Sequence, residues 1–360
     1  MRTLPKFPQG LSPEFFNQAL SQHPGLLQGQ QVINAQQQQI GDGTGMMSEL
    51  CQVLLTYNKP GPAPTSVIAK YPSQNDTNRD VAMSFNLYER ETRYFLELDP
   101  KTSATSPQIY FAEIQGDNFI ILMQDLSDYL VGDQSVGADL QQTELAIDEL
   151  AKLHAAFWDD VADLDWIPHI ANSYHAENMQ NFGIHGWQAM LDSFSDFLPT
   201  DINSFEQPFF DKLTKLQDVV NQTPCTLIHG DFRMENLLYG QKPTHHPIAI
   251  IDWQGPLLGR GMVDVCLILG QSTRTDVRRQ HERTLLQRYL DGLENLGVTY
   301  ANDAWNDYRL AHLYNWIYVI VVSGALDSSN AKAFAWMSQM IARQSAVHTD
   351  LQLQELLKQI

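Results

Sequence analysis

At 360 residues the chain has room for one large domain or for two lobes, each with its own core. Its 43 % hydrophobic and 10 % aromatic content is that of a globular protein and excludes a disordered chain. With 23 basic against 42 acidic residues the formal charge is −19, which argues against nucleic acid and anionic membrane as partners of the surface as a whole.

Along the chain, Val32 to Ile40 reads as a short polar strand rich in glutamine, followed by Gly41-Asp42-Gly43-Thr44-Gly45 and an extended run from Leu50 to Tyr57. The Pro60-Gly61-Pro62-Ala63-Pro64 segment is a turn, and Ser66 to Tyr71 is the next strand, with Lys70 close to its end. Apolar residues at helical spacing (Val81, Phe85, Tyr88, Phe95) predict a helix over Arg79 to Leu98. Ile109 to Ile114 and Phe119 to Met123 flank a Gln-Gly-Asp-Asn turn and form a hairpin. Helical patterns then dominate: Ala138 to Trp158, with Leu145, Leu150, Leu153 and Phe157 on one stripe, then roughly Ser204 to Asn221, Arg274 to Leu296 and Ala301 to Val322. A strand-rich front third and a helical remainder predict two lobes that meet near Gln124-Asp125-Leu126.

Cys51, Cys225 and Cys266 stand far apart, with no Cys-x-x-Cys pair and no Cys/His cluster. Neither a disulfide framework nor a structural zinc site is expected, and a reducing, cytoplasmic setting is. Met1 to Gly25 has no apolar signal core. The longest apolar run, Trp316 to Leu326, is far short of the roughly 20 residues of a membrane span and reads as a buried helix. The acidity fits either a solvated surface or a cleft that attracts a cationic substrate, and net charge does not separate the two.

Two short apolar runs end in aspartates: Leu227-Ile228-His229-Gly230-Asp231, with Asn236 five residues on, and Ile248-Ala249-Ile250-Ile251-Asp252-Trp253-Gln254. Phosphoryl transfer needs such a set. One carboxylate orients the attacking hydroxyl and accepts its proton, while an amide oxygen and a second carboxylate hold Mg²⁺ among the phosphates. Any one of these residues alone could be a turn residue; the three at this spacing point to the chemistry.

His-Gly-Asp-x-x-x-x-Asn with a downstream Ile-Asp-Trp resembles the catalytic loop and metal site of the aminoglycoside phosphotransferase and choline kinase superfamily. Gln254, the stretch Met123-Gln124-Asp125-Leu126, Gly132-Asp133-Gln134 and Leu150 to Trp158 resemble its ecdysteroid-kinase-like branch and bacterial relatives. The resemblance covers roughly residues 30 to 270. It implies an α+β, protein-kinase-like fold: a small antiparallel-sheet lobe (1–123), a hinge (124–126) and a larger helical lobe (127–360). It implies further that Asp231 is the catalytic base, that Asn236 and Asp252 bind Mg²⁺, and that Arg233 lies near the transferred phosphate. His229 would pack within the loop and Asp264 would brace it.

The front third supports the same reading. Gly41, Gly43 and Gly45 could cradle the phosphates of ATP through backbone N–H groups, though a plain hairpin turn gives the same pattern. Lys70 would contact those phosphates, paired with Glu91 on the following helix. Glu89 is the alternative partner; two residues apart on a helix, the two face differently and only one can serve. The adenine would lie against backbone groups of Gln124, Asp125 and Leu126. The expected activity is transfer of phosphate from ATP to a hydroxyl of a small organic acceptor, with a non-catalytic nucleotide-binding regulator as the alternative and a protein kinase behind both. Trp158, Trp166, Trp187, Phe194 and Trp316 fit core positions as well as an acceptor pocket.

Overall fold

A computed structural model describes residues 4–40, 47–325 and 329–360. Gly41, Gly43 and Gly45 lie outside the described residues. The chain divides into two compact units. The first holds the described residues of Met1–Lys101, Ser106–Asp128 and Ile251–Gly255; the second holds Thr102–Thr105, Tyr129–Ile250 and Pro256–Ile360.

The first unit is built on a five-stranded antiparallel sheet. Helix α1 (Pro13–Ser21) precedes the strands, with Ser12 capping the Phe15 amide and Pro13 in the first turn, where no N–H is needed. The strands are β1 (Val32–Ile40), β2 (Ser48–Tyr57), β3 (Ser66–Pro72), β4 (Ile109–Gln115) and β5 (Asn118–Gln124), in the order β1-β2-β3-β5-β4. Alternation along the strands gives the sheet two different faces. Val53, Leu55, Val67, Ala69, Tyr71, Ile120 and Leu122 point to one side and close a core with Phe15, Phe16 and Leu20 of α1. The opposite parity puts Lys70, its register partner Ile121 and the nearby Phe119 on the other side. Stacking of Tyr88 on Phe119, at 4.5 Å between centroids, seats the following helix over that second face.

Between β3 and β4 the single helix expected from spacing is broken. Helix α2 (Asp76–Ser84) ends before Asn86, whose φ of 53° is left-handed, and α3 (Leu87–Arg93) starts afresh and runs into a π-helical turn at Tyr94–Leu98. Asparagine tolerates that conformation better than most residues, which is why the break falls there.

The second unit is mostly helical. After the short strand β6 (Leu130–Val131) come α4 (Leu140–Ala156), started by an Asp139/Gln142 capping box, α5 (Ser173–Phe194) and α6 (Ile202–Asn221). The short strands β7 (Thr226–Ile228), β8 (Leu237–Tyr239), β9 (Ile248–Ile250) and β10 (Leu257–Gly259) form two small sheets, β10-β7 and β6-β8-β9. Helices α7 (Met262–Leu267), α8 (Thr275–Asn295), α9 (Ala304–Tyr314), α10 (Trp316–Ala325), α11 (Ala331–Asp350) and α12 (Leu353–Gln359) complete the unit. The helix expected over 301–322 is two helices separated at Asn315, whose side chain donates to the Val263 carbonyl at 3.0 Å. Cys51, Cys225 and Cys266 are free and buried. Among the described residues no helix is long and apolar enough to cross a membrane.

Candidate active site

The loop from His229 to Asn236 joins β7 to β8 inside the second unit. Its entry is fixed by Asp264 of α7, a fully buried carboxylate. Asp264 Oδ2 accepts the His229 N–H at 2.6 Å and Oδ1 accepts the Gly230 N–H at 3.0 Å, while His154 Nε2 lies 3.4 Å from Oδ2. His154 Nδ1 in turn meets the Tyr289 hydroxyl at 2.9 Å. Gly230 has φ of 80°, a conformation that suits glycine at this sharp turn. His229 is buried, packs edge-on against Phe232 and accepts the Asp231 N–H on Nδ1 at 3.3 Å.

The result is a carboxylate presented to the outside on a fixed backbone. The Asp231 side chain is 49 % exposed. Asn236 is buried; its Nδ2 donates to the Asp231 carbonyl at 2.8 Å and to Asp231 Oδ2 at 3.0 Å. With the NH₂ so committed, the amide oxygen is what Asn236 can offer to a cation. Arg233 Nε donates to Asp231 Oδ2 at 3.2 Å, and its Nη1 lies 3.3 Å from Glu235 Oε2. Burial pushes the Glu235 carboxyl up, Arg233 pulls it back, and the charges of Asp231 and Asp133 add to the rise. The Arg233 guanidinium also lies over the ring of Trp336 on α11, 5.1 Å from its centroid. Trp336 carried no signal in the sequence; Trp187, Phe194 and Trp316, which did, are buried.

A second cluster lies within the first unit. Lys70 Nζ is 2.7 Å from Glu91 Oε1 and 2.8 Å from Asp252 Oδ1. Lys70 and Glu91 are buried, whereas the Asp252 side chain is 38 % exposed. Burial alone would lower the lysine, but the Asp252 and Glu91 carboxylates outweigh it and hold the ammonium above its ordinary range. Burial raises the Glu91 carboxyl, with Lys70 opposing. Glu89 pairs instead with Arg93 at the surface, at 3.4 Å.

Asp252 has φ of 66°, in the left-handed region that a non-glycine residue occupies at a cost of order 1 kcal/mol. Its neighbours hold it there. Trp253 stacks on Tyr94 at 3.7 Å with the rings 8° apart, and Gln254 Nε2 donates to Ser48 Oγ at 2.9 Å. These contacts tie 251–255 into the first unit, whereas the sequence reading assigned the segment to the helical lobe. No sequence pattern pairs Lys70 with Asp252.

At the far end of β3, on the face that carries Lys70, the Asp125 carboxylate binds Gln52 Nε2 at 2.7 Å, the Ser66 hydroxyl and the Ser127 N–H at 2.9 Å. Burial opposes its charge, but these donors hold the carboxyl below its ordinary range. The Gln124 N–H is taken by the Gln108 carbonyl at 2.8 Å, and Leu126 is buried. Of the segment 124–126, the Asp125 side chain and the Gln124 amide are therefore engaged within the protein. Ser66 and Lys70 are four residues apart, about 13 Å along a strand, with half-buried Ile68 between them on the same face.

Asn236 in the second unit offers an amide oxygen and Asp252 in the first unit a carboxylate, each an oxygen type that Mg²⁺ accepts. Among the described residues there is no cluster of three or more His, Cys, Asp or Glu that would form an all-protein metal cage, and Mg²⁺ does not require one.

The family model of the ecdysteroid kinase-like family matches residues 42–298. No curated protein matches the chain. Among solved structures, choline kinase from Cryptosporidium parvum Iowa II superposes with a TM-score of 0.54 at 12 % identity, covering 96 % of each chain. A candidate aminoglycoside phosphotransferase from Ralstonia eutropha JMP134 gives 0.54 at 15 % identity over 94 % of this chain and 98 % of that one. Amicoumacin kinase hAmiN, in complex with AMP-PNP, Ca²⁺ and Ami, gives 0.50 at 14 % identity over 87 % and 88 %. The fold is that of protein-kinase-like small-molecule kinases.

Proposed function

Since the chain belongs to the ecdysteroid kinase-like family, we propose that it transfers the γ-phosphate of ATP to a hydroxyl of a small organic acceptor. The observation that carries this reading is the presentation of Asp231: half exposed, on a loop whose backbone is held by a buried carboxylate, with an amide and a guanidinium on its own carboxylate. Asp231 orients the hydroxyl and takes its proton as the acceptor O–P bond forms and the bond from the γ-phosphorus to the β,γ-bridging oxygen breaks, releasing ADP. Arg233 and Lys70 offset the negative charge of the transferring group. Asn236 and Asp252 are the ligands proposed for Mg²⁺, which when bound would neutralise the phosphates. The face of β3 between Lys70 and Asp125, floored by Ile68, is the proposed seat of the nucleotide, with its base towards Asp125 and Leu126.

The test is acceptor-dependent ADP release across alcohols, amino sugars and amino alcohols, with Asp231→Asn as background. Release above that background with at least one acceptor class is expected. Mg²⁺-dependent ATP binding without release from any acceptor would instead identify a nucleotide-binding regulator.

A further inference from the structure

Gly132-Asp133-Gln134 has no place in the proposed chemistry, yet each of its residues bears on the catalytic loop. Gly132 donates its N–H to the Leu237 carbonyl at 2.9 Å. A Cβ at Gly132 would collide with the carbonyl of Met234, so only glycine lets the two backbones pass this closely. The Asp133 carboxylate accepts the N–H groups of Ser135 and Val136, at 2.8 and 3.2 Å, and folds the chain into a tight turn. Gln134 is fully buried. Its Oε1 accepts the Met234 N–H at 3.2 Å and the Ser272 hydroxyl at 3.0 Å, and its Nε2 donates to the Gln271 carbonyl at 2.7 Å.

Met234 lies between Asp231 and Asn236, so its N–H is a backbone donor of the loop that carries both. The turn at Gly132–Gln134 is anchored from the other side by Arg343 of α11, whose Nη1 donates to the Gln134 carbonyl at 2.6 Å and whose Nη2 donates to the Ser135 carbonyl at 3.2 Å. Arg343 stands seven residues, about two helical turns, beyond Trp336, which covers Arg233. The same face of α11 thus meets the loop directly and through the turn.

We infer that Gln134 is a positioning residue: through the Met234 N–H it fixes the loop that sets Asp231 and Asn236 at their working separation. The inference rests on the phosphotransfer reading for its consequence, but not for its geometry. Gln134 is fully buried and acts through the loop backbone. Its side chain engages the Met234 N–H, the Ser272 hydroxyl and the Gln271 carbonyl, the last also reached by Arg343 Nη1 at 3.4 Å, and so uses both the donor and the acceptor of the amide.

Gln134→Met keeps the length of the side chain and removes both functions. Gln134→Glu keeps an oxygen for the Met234 N–H. Two readouts are taken on the full chain: hydrogen–deuterium exchange of the peptide covering residues 231–237, and ATP turnover with an acceptor found in the screen. In Gln134→Met the loop should exchange about tenfold faster, as expected for a lost local lock. Its kcat should fall about 10²-fold, the scale of a small misplacement of reacting groups, while KM for ATP stays within about twofold. Gln134→Glu should recover most of the protection and part of kcat. A Met variant with wild-type exchange overturns the inference, as does faster exchange with unchanged kcat. If the wild-type chain releases no ADP with any acceptor, the phosphotransfer reading fails and exchange alone decides whether Gln134 locks the loop.

Discussion

Asp231 and Asp252 both sit where an arginine or lysine neutralises part of their charge and a second acid stands close by, but the two clusters differ in burial. Around Asp231 the guanidinium of Arg233 is 31 % exposed and the Asp231 side chain 49 %. Around Asp252 the ammonium of Lys70 and the carboxyl of Glu91 are closed off, at 7 % and 1 %, and only Asp252 faces outward. Exposed ion pairs contribute little because water screens them, whereas buried ones are strong in attraction and costly to leave half-made. The protein therefore fixes the loop just before Asp231 through the backbone, by way of Asp264, while the half-exposed Asp231 carboxylate takes Asn236 and Arg233 as partners. It holds Asp252 through the carboxylate itself. One ammonium faces two carboxylates there, and burial raises the one it closes off, Glu91.

The sharpest way to break this comparison is to neutralise each aspartate in turn. Asp231→Asn should slow phosphoryl transfer by about 10²- to 10⁴-fold, the usual worth of a positioned base, with ATP affinity nearly intact. Asparagine keeps the size and one acceptor oxygen for Asn236 Nδ2, so the loop keeps its shape. Turnover and ATP binding must be measured separately. Wild-type turnover would remove Asp231 from the role of base, and loss of ATP binding as well would mean that the two aspartates do not divide the work as proposed.

Asp252→Ala should act on the other quantity. Metal-dependent ATP affinity, read by calorimetry with and without Mg²⁺, should fall by more than the roughly 10- to 100-fold that losing an outer-shell partner of a metal ligand costs. Thermal stability should change less, because Lys70 keeps Glu91 and the exposed Asp252 carboxylate leaves no cavity in the core. An unchanged Mg²⁺ dependence would refute the metal assignment and leave Asp252 as a structural partner of Lys70.

What the sequence disclosed follows from the range over which each feature acts. Asp231 and Asn236 stand out in the sequence because they lie five residues apart on one loop, and Asp252 because it ends a second short apolar run. Lys70 is a candidate from its place near the end of a strand and ahead of a glutamate-bearing helix; that Val67, Ala69 and Tyr71 take the core face and leave Lys70 the other is seen in the structure. The break at Asn86 was hidden because one left-handed residue does not disturb a hydrophobic period. Gln134 and Met234 are a hundred residues apart, and Arg233 and Trp336 a hundred and three; no local pattern records such pairs. The same holds for Asp252 and Lys70, 182 residues apart, and so no local pattern places the segment in the first unit.

The smallest effect, and the closest control on burial, comes from two glutamates two residues apart. Two steps on a helix turn a side chain by about 200°, so Glu91 enters the protein to meet Lys70 while Glu89 stays outside with Arg93. Glu91→Gln keeps the shape and removes the charge that faces a buried ammonium. Lys70 retains Asp252, so the loss should be near that of one hydrogen bond to a charged group, about 2 kcal/mol in urea unfolding. Glu89→Gln removes a surface pair and should cost no more than about 0.5 kcal/mol, less still at high salt. Both variants keep α3 helical, since glutamine and glutamate have similar propensity, so a difference between them reports burial alone. Equal losses would mean that Lys70 and Glu91 are not held as a closed pair in solution, and the contrast drawn between the two aspartate clusters would go with them.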